Sequence, residues 1–443
     1  MWRIQLTTAY GKLSTSSPGM STAAIAYQLP LFIPAKEQIQ PSLRWAGNRK
    51  KFKFYDFFAG AGMVRLGLHQ RWECAWANDN DPKKIAIYKH NYGRDHLDPR
   101  DVVMVADDVK NRLFEGKSGV PSFPLDVDMA WASFPCQDLS LAGRRRGISA
   151  KRSGAYWPFW EIMYALKEAG RQPPIMVIEN VPGLLYGGSF RKLCDSLAVL
   201  GVRFGAFLAD SKCFVPQSRP RVFIVAVDDH IDLSGLTSKH VPNNPWYPAA
   251  IKKAFANLPS NLKKRWIWWN IAPPINNRPY IDSLLDEDSS DIAYDSEEKT
   301  DHLLSLMNSR HREKIKAARN DSRVQIGFLY QRTRGGHQRT EVRFDGLAGC
   351  LRTPKGGSSQ QTIVFVKDSK VKTRLLSRIE AARLMGLDLD KSGRLPGRKK
   401  RFFPDSFSYN DAYLAMGDGV VVPVVKHLAS TILNKLAYRS ATT

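Results

Sequence analysis

The chain has 443 residues, 43% of them hydrophobic, enough for two or three domains with cores of their own and too apolar for a disordered polypeptide. Its 66 Lys and Arg against 42 Asp and Glu leave a formal charge of +24, an excess that suits a polyanionic partner, nucleic acid above all, better than a merely solubilising surface. No apolar run reads as long enough to span a bilayer, and the five cysteines (Cys74, Cys136, Cys194, Cys213, Cys350) are scattered, odd in number and without a C-x-x-C pair, which argues for a reducing compartment and against a metal site or disulfide framework.

Residues 1–50 are rich in Ser, Thr, Ala and Pro and show no sustained apolar period, so they are expected to be a flexible extension. Gln28 and Pro30 break their apolar stretch, a poor fit to a signal peptide, and Met20 offers a second start. Structure is expected from Lys53. Phe54-Tyr55-Asp56-Phe57-Phe58 has a strand pattern, Ala59-Gly60-Ala61-Gly62 is a tight turn, and Met63 to Gln70 has helical spacing. Strand, glycine turn and helix open a nucleotide-type crossover, in which bare backbone approaches a ligand. A second strand, Cys74–Ala77, ends at Asn78-Asp79, where an acid can accept hydrogen bonds from a ribose; the plainer alternative is an N-cap before Pro82. Val102–Val105 reads as a third strand ending at Asp107-Asp108, with one carboxylate placed for an adenine amino group. Without a basic phosphate cradle, glycines and acids fit a cofactor that lacks phosphates, such as S-adenosylmethionine.

Val127–Trp131 reads as a buried strand leading into Ser133-Phe134-Pro135-Cys136-Gln137. A thiol past a strand's carboxyl end lies where open α/β sheets bind ligands, and Pro135 restricts the backbone before it. A buried structural cysteine is the plainer alternative. After the basic Gly143–Gly147 stretch comes an aromatic helix from Tyr156 to about Ala169. Then the strand Ile175–Ile178 ends at Glu179-Asn180-Val181, with Glu179 expected to be partly desolvated. A helix at 190–200, a strand at 204–209 and Gln217-Ser218-Arg219-Pro220-Arg221 opening a strand at 222–227 complete an α/β, doubly wound pattern.

The alternation stops after Asp228. Lys263 to Trp269 is a basic and aromatic cluster, readable equally as a small core or as a stacking surface, and Asp282–Glu298 is acidic. Residues 300–318 look helical. Tyr330 to Arg339 interleaves Arg, Gln and aromatics suited to base edges and phosphates, Leu351–Ser359 is a polar loop suited to a phosphate backbone, and 372–386 looks helical. Basic residues at 398–401 precede a closing segment, Tyr409–Leu433.

Asp56-Phe57-Phe58-Ala59-Gly60-Ala61-Gly62, Phe134-Pro135-Cys136-Gln137, Glu179-Asn180-Val181, Gln217-Ser218-Arg219-Pro220-Arg221 and Ala415-Met416-Gly417-Asp418-Gly419-Val420 occur together in one order. In this the chain resembles the DNA cytosine-5 methyltransferases, the bacterial restriction-modification type most of all. The resemblance covers about 51–435. It implies a Rossmann-like, S-adenosylmethionine-dependent domain at 51–230, a smaller target-recognition domain at 231–370, a hinge at 371–408 and a C-terminal segment, 409–443, packing back on the catalytic domain.

It also implies a covalent mechanism on a flipped cytosine. The roles fall to Cys136 as nucleophile, Glu179 beside N3, Arg221 and Arg219 toward O2 and the sugar-phosphate, and Asn180 as loop support. As cofactor contacts it implies Asp56, Phe58, Gly60, Ala61, Gly62, Met63, Asp79, Asn80, Asp108, Val109, Pro135, Asp418, Gly419 and Val420. As DNA contacts it implies Gln137, Ser140, Arg144, Arg145, Arg146, Arg332, Arg334, Arg339 and Lys355. The stretch 137–154, with glycines as hinges, is expected to close as a lid. Asp418 departs from the family's usual Asn. The expected partners are double-stranded DNA and a cognate endonuclease sharing its site. No membrane partner or metal is expected, and the chain is expected to be a monomer in the bacterial cytoplasm. The alternatives are the same chemistry on tRNA and a catalytically silent DNA-binding regulator.

Overall fold

Apolar runs that are buried on both faces build the centre of the molecule. The computed structural model describes residues 51–442 except 116–122, 136–152, 275–277, 287–291, 335, 353–359 and the side chain of Arg334. Strands β1 (Phe52–Phe57), β2 (Trp72–Asn78), β3 (Leu97–Asp98), β4 (Met129–Ala132), β5 (Ile175–Asn180), β6 (Val202–Asp210) and β7 (Pro220–Asp228) form one seven-stranded sheet in the order β3-β2-β1-β4-β5-β7-β6. The β3-β2-β1-β4-β5 part is parallel, and β7 runs antiparallel between β5 and β6. Every residue of β4 and β5 is buried, as expected of central parallel strands covered on both faces. Helices α1 (Met63–Leu68), α2 (Pro82–Tyr92), α3 (Val102–Glu115), α4 (Tyr156–Glu168) and α5 (Ser189–Val199) alternate with the strands. This is the doubly wound α/β fold expected. Its strand order reverses between β1 and β4, which opens a crevice at their carboxyl ends.

One element differs from the sequence-based expectation. Val102–Val105 is the first turn of α3 and not a strand; the third strand is the two-residue β3. Asp101 starts the helix, its carboxylate accepting from the N–H of Val103 (3.0 Å) and its carbonyl from the N–H of Val105 (3.2 Å). A short β-branched run carries no period that excludes a helix, and this local cap decides it.

Beyond β7 the chain first stays on the large sheet. Strands β8 (Thr237–Ser238) and β9 (Trp268–Trp269) pair, with α6 (Ala249–Ala256) and α7 (Ser260–Arg265) between them. The aromatic part of the cluster belongs to this layer, with Ile267 and Trp269 buried and Trp266 and Trp268 half-buried. The N–H of Ile267 donates to Phe204 O of β6 at 2.7 Å, and fully buried Trp269 donates through Nε1 to Val225 O of β7 at 3.3 Å. Trp266 packs edge-on against Phe190 and Phe204.

The second sheet, in the order β11-β10-β12-β13, is antiparallel throughout: β10 (Gln325–Arg334), β11 (His337–Arg343), β12 (Thr362–Lys367) and β13 (Lys370–Leu375). With α8 (Glu297–Ser305) and α9 (Ser309–Arg319) it closes a separate core around Leu303, Ile315, Leu329, Val342 and Val364. Residues 372–375, expected to begin a helix, are therefore strand. The helix that follows, α10 (Arg378–Leu384), starts at a capping box of Ser377 and Glu380.

The C-terminal run Tyr409–Thr442 is long and apolar enough to cross a membrane, contrary to the sequence-based expectation. In this fold it is α11 (Tyr409–Asp418), α12 (Val422–Leu428), a π-helical turn and α13 (Asn434–Thr442), more than half buried inside the molecule. Close packing holds it there: a Cβ added at Gly67 of α1 would lie 2.4 Å from Val425 Cβ.

A Cβ at Gly205 of β6 would lie 2.0 Å from the backbone carbonyl oxygen of Ile267, which cannot swing aside as a side chain would. Gly205→Ala should therefore lower stability by about 1–3 kcal/mol or more, read from urea denaturation. Unchanged stability would mean that the tryptophan layer is not seated on β6.

Candidate active site and nucleic-acid cleft

The carboxyl ends of β1, β2, β4 and β5 meet the end of α11 around one pocket. Phe58 follows β1 in a left-handed conformation (φ 59°) and lines the pocket, a backbone state that costs a non-glycine residue on the order of 1 kcal/mol and so needs support. Support comes from the turn it opens: the N–H of Ala59 donates to Asn78 O (2.8 Å) and that of Gly62 to Ala59 O (2.9 Å). A Cβ at Gly60 would meet nothing within 4 Å, so the turn presents bare backbone to open space.

Asp79, at the end of β2, is buried, and its carboxylate accepts from the N–H groups of Gly60 (2.9 Å) and Asp81 (3.0 Å). Burial raises its pKa, opposed by Lys84 and by those two N–H groups. The N-cap of α2 is Asp81 rather than Asp79, which leaves Asp79 turned to the pocket. Ala61, Met63, Asn80 and Pro135 also line it, as do Asp418, Gly419 and Val420 at the far wall.

At the other end, buried Glu179 closes β5. It is not alone in the apolar setting the sequence suggested: Arg221 Nε of β7 lies 3.1 Å from its Oε1. Asn180 donates through Nδ2 to Phe134 O (3.0 Å), and its Oδ1 accepts from the N–H of Val181 (2.8 Å), so it ties the chain entering Pro135 to the end of β5. Cys136 comes next in the chain. It lies outside the described residues, as do Gln137, Ser140, Arg144, Arg145, Arg146 and Lys355.

Three expected cofactor contacts do not reach the pocket. Asp108 is on α3 and pairs with Arg100, which also binds Asp98, while Val109 is buried in the same helix. Asn80, which lines the pocket, donates through Nδ2 to Asp101 Oδ2 at 3.0 Å, so Asp101 stands behind the lining on this side. Asp56 is fully buried behind the glycine turn, with no hydrogen-bond partner for either oxygen.

Arg219 takes a different part from the one expected. Its buried guanidinium donates to Leu351 O (2.8 Å), Gly417 O (2.7 Å) and Gly419 O (2.7 Å), with Cys350 Sγ at 3.2 Å. Those N–H groups are committed to the protein itself, which makes Arg219 a positioning residue. Neighbouring Gln217, also buried, donates to Leu384 O (2.8 Å) and accepts from the N–H of Leu351 (3.0 Å). The sequence carried the motif but no sign of these distant partners.

A second cleft, of about 710 Å³, runs from Ser218, Cys350 and Arg352 up to Lys314, Gln331, Arg332 and Arg343. Arg332 stands in it, with its Nε 3.5 Å from Glu341. Arg339 is its exposed cross-strand partner, and Arg334 pairs in register with His337. Arg219 and Arg221 pull the Cys350 thiol below its ordinary pKa against the effect of burial.

A protein-family model for C-5 cytosine-specific DNA methylases matches residues 52–434. The type II methyltransferase M.HpaII of Haemophilus parainfluenzae is 24% identical over 426 residues, covering 93% of this chain and 95% of that protein. M.BsuFI of Bacillus subtilis, also a type II methyltransferase, is 25% identical over 393 residues, covering 87% of this chain and 73% of that protein. The crystal structure of the S. pombe Dnmt2 methyltransferase aligns with a TM-score of 0.52 at 15% identity, over 87% of this chain and 99% of that one, a likeness of fold.

Burial pushes the pKa of Asp56 up to about 8, with Arg65 opposing and Asp79 adding to it. The folded state therefore keeps a proton that the unfolded chain releases above 3.8, and stability is lost progressively as pH rises from there to about 8. Asp56→Asn should remove that dependence: its melting temperature relative to wild type should rise between pH 5 and pH 8. A difference that stays constant across this range would place Asp56 among ionised groups.

Proposed function

Because the chain belongs to the C-5 cytosine-specific DNA methylase family, we propose that it transfers a methyl group from S-adenosylmethionine to C5 of a cytosine flipped out of a specific duplex DNA site, through a covalent bond from Cys136 to C6. The Glu179–Arg221 pair, set in one pocket with the glycine turn and with Pro135 immediately before Cys136, carries this assignment.

The lining fits the cofactor. Gly60 bares backbone to open space, Asp79 offers a carboxylate, and no phosphate cradle is present among the described residues. Phe58 would lie against the adenine, Asp79 would take the ribose, and Gly60–Gly62 with Gly417–Val420 would hold the methionine end. Asp101 would act on the adenine side only through Asn80, whose amide it holds. When bound, S-adenosylmethionine supplies an electrophilic methyl group on its sulfonium.

Cys136 adds as thiolate to C6, breaking the C5–C6 double bond and sending electron density into the ring toward N3 and C5. Glu179 stands at N3 to donate or share a proton, oriented by Arg221, which also donates through Nη1 to Pro220 O (2.9 Å). Arg219 holds the C-terminal wall in place and Asn180 fixes the entry to Cys136. Once C5 carries the methyl, loss of its proton to a base restores the double bond and expels the Cys136 thiolate.

Site recognition falls to the four-stranded sheet and its cleft, about 297–375, rather than to the whole of 231–370. The tryptophan layer supports this division, since it is core to the large sheet. Arg332 and Arg339 face this side from β10 and β11. The relatives' type suggests modification within a restriction-modification pair, with a cognate endonuclease reading the same site.

A duplex carrying 5-fluorocytosine at the target should form a denaturation-resistant adduct, visible by gel, because fluorine cannot leave as a proton does; Cys136→Ser should form none. Normal methylation by that variant would sink the covalent step. Glu179→Gln should slow turnover by about 100-fold or more.

For specificity, Arg332→Ala and Arg339→Ala should relax the methylated site seen by bisulfite sequencing, by about 1–3 kcal/mol per lost base contact. A loss uniform over all DNA would make them phosphate contacts instead.

A further inference from the structure

We infer that Lys84 and Asp418 form a charge-matched clamp for the amino-acid end of the cofactor, Lys84 receiving its carboxylate and Asp418 its ammonium. The inference rests on the reading above that this pocket takes S-adenosylmethionine. Lys84 lies in the first turn of α2, and Asp418 is the last residue of α11. Their charges meet at 2.8 Å, and both side chains line the pocket.

An aspartate alone at this wall would attract the ammonium of the zwitterion and repel its carboxylate. Lys84 supplies the missing cation. Burial pulls its pKa down, but Asp418, Asp79 and Asp81 together carry it above the ordinary value, so it stays charged. The other two cations of the lining are committed elsewhere, Arg221 to Glu179 and Arg219 to backbone carbonyls. Nor does α2 depend on the pair for its place. Lys83 binds Asp411 of α11, Asn91 donates to Phe402 O (2.9 Å) and His90 Nε2 meets Arg401 O (2.9 Å).

Calorimetric titration of the full-length protein with two probes tests this. S-Adenosylhomocysteine carries both charges, and 5′-methylthioadenosine keeps the nucleoside and thioether but carries neither. Lys84→Met and Asp418→Ala should each weaken S-adenosylhomocysteine about ten-fold, the scale of a hydrogen bond to a charged group, and leave 5′-methylthioadenosine within about two-fold. Lys84→Arg keeps the charge and should hold S-adenosylhomocysteine within about three-fold of wild type, which also reports an intact α2. Equal weakening of both probes would make the pair a structural strap and overturn the clamp. So would unchanged binding of both. If wild-type protein bound neither probe, the cofactor assignment itself would fall, and the clamp with it.

Discussion

A buried guanidinium cannot be left without acceptors, and in this protein that requirement joins three distant parts of the chain. Arg219 enters the interior at the start of β7 and needs carbonyl oxygens there; Leu351, Gly417 and Gly419 supply them. The carbonyls of Gly417 and Gly419 are fixed on either side of Asp418, so its side chain goes to the pocket wall. The Leu351 carbonyl fixes the strip between the pocket and the neighbouring cleft. Gln217 repeats the arrangement two residues earlier, with Leu351 and Leu384.

The pocket that results has an ion pair at each end, Glu179–Arg221 and Lys84–Asp418, with the bare glycine turn between them. Rigid strand ends carry Glu179 and Asp79, while Phe58 is held in an unfavourable backbone state at the turn. Such placement suits chemistry that must position two reactants before any bond changes. It also explains why the C-terminal helices must return to the large sheet: without α11 one wall and one ion pair are missing.

The small sheet is shared between two cores: Phe328 and Ile363 join the main one, while Leu329, Val342 and Val364 close the smaller one. The chain leaves the small sheet through a buried double contact, Arg374 to Glu380 at 2.7 and 2.8 Å, with Arg374 also donating to Asp286 O at 2.6 Å. Glu380 is at the same time the N3 residue of the α10 capping box, so the helix start and the ion pair fix one another.

Local pattern was enough for much of this. The buried runs of β1, β4 and β5, the glycine turn after β1 and the acids ending β2 and β5 could be read from the sequence, because strand burial, turn chemistry and proline restriction act over a few residues. Where the local signal was ambiguous, tertiary structure decided. Val102–Val105 became helix because Asp101 caps it, which left Asp101 rather than Asp108 behind the pocket lining. Ile267 and Trp269 became core because β6 and β7 present carbonyls and a glycine beneath them. Arg219 turned inward, and Asp418 found Lys84, for a reason no neighbouring residue encodes: a charge in a low-dielectric interior is satisfied by whatever partner the completed fold brings within reach.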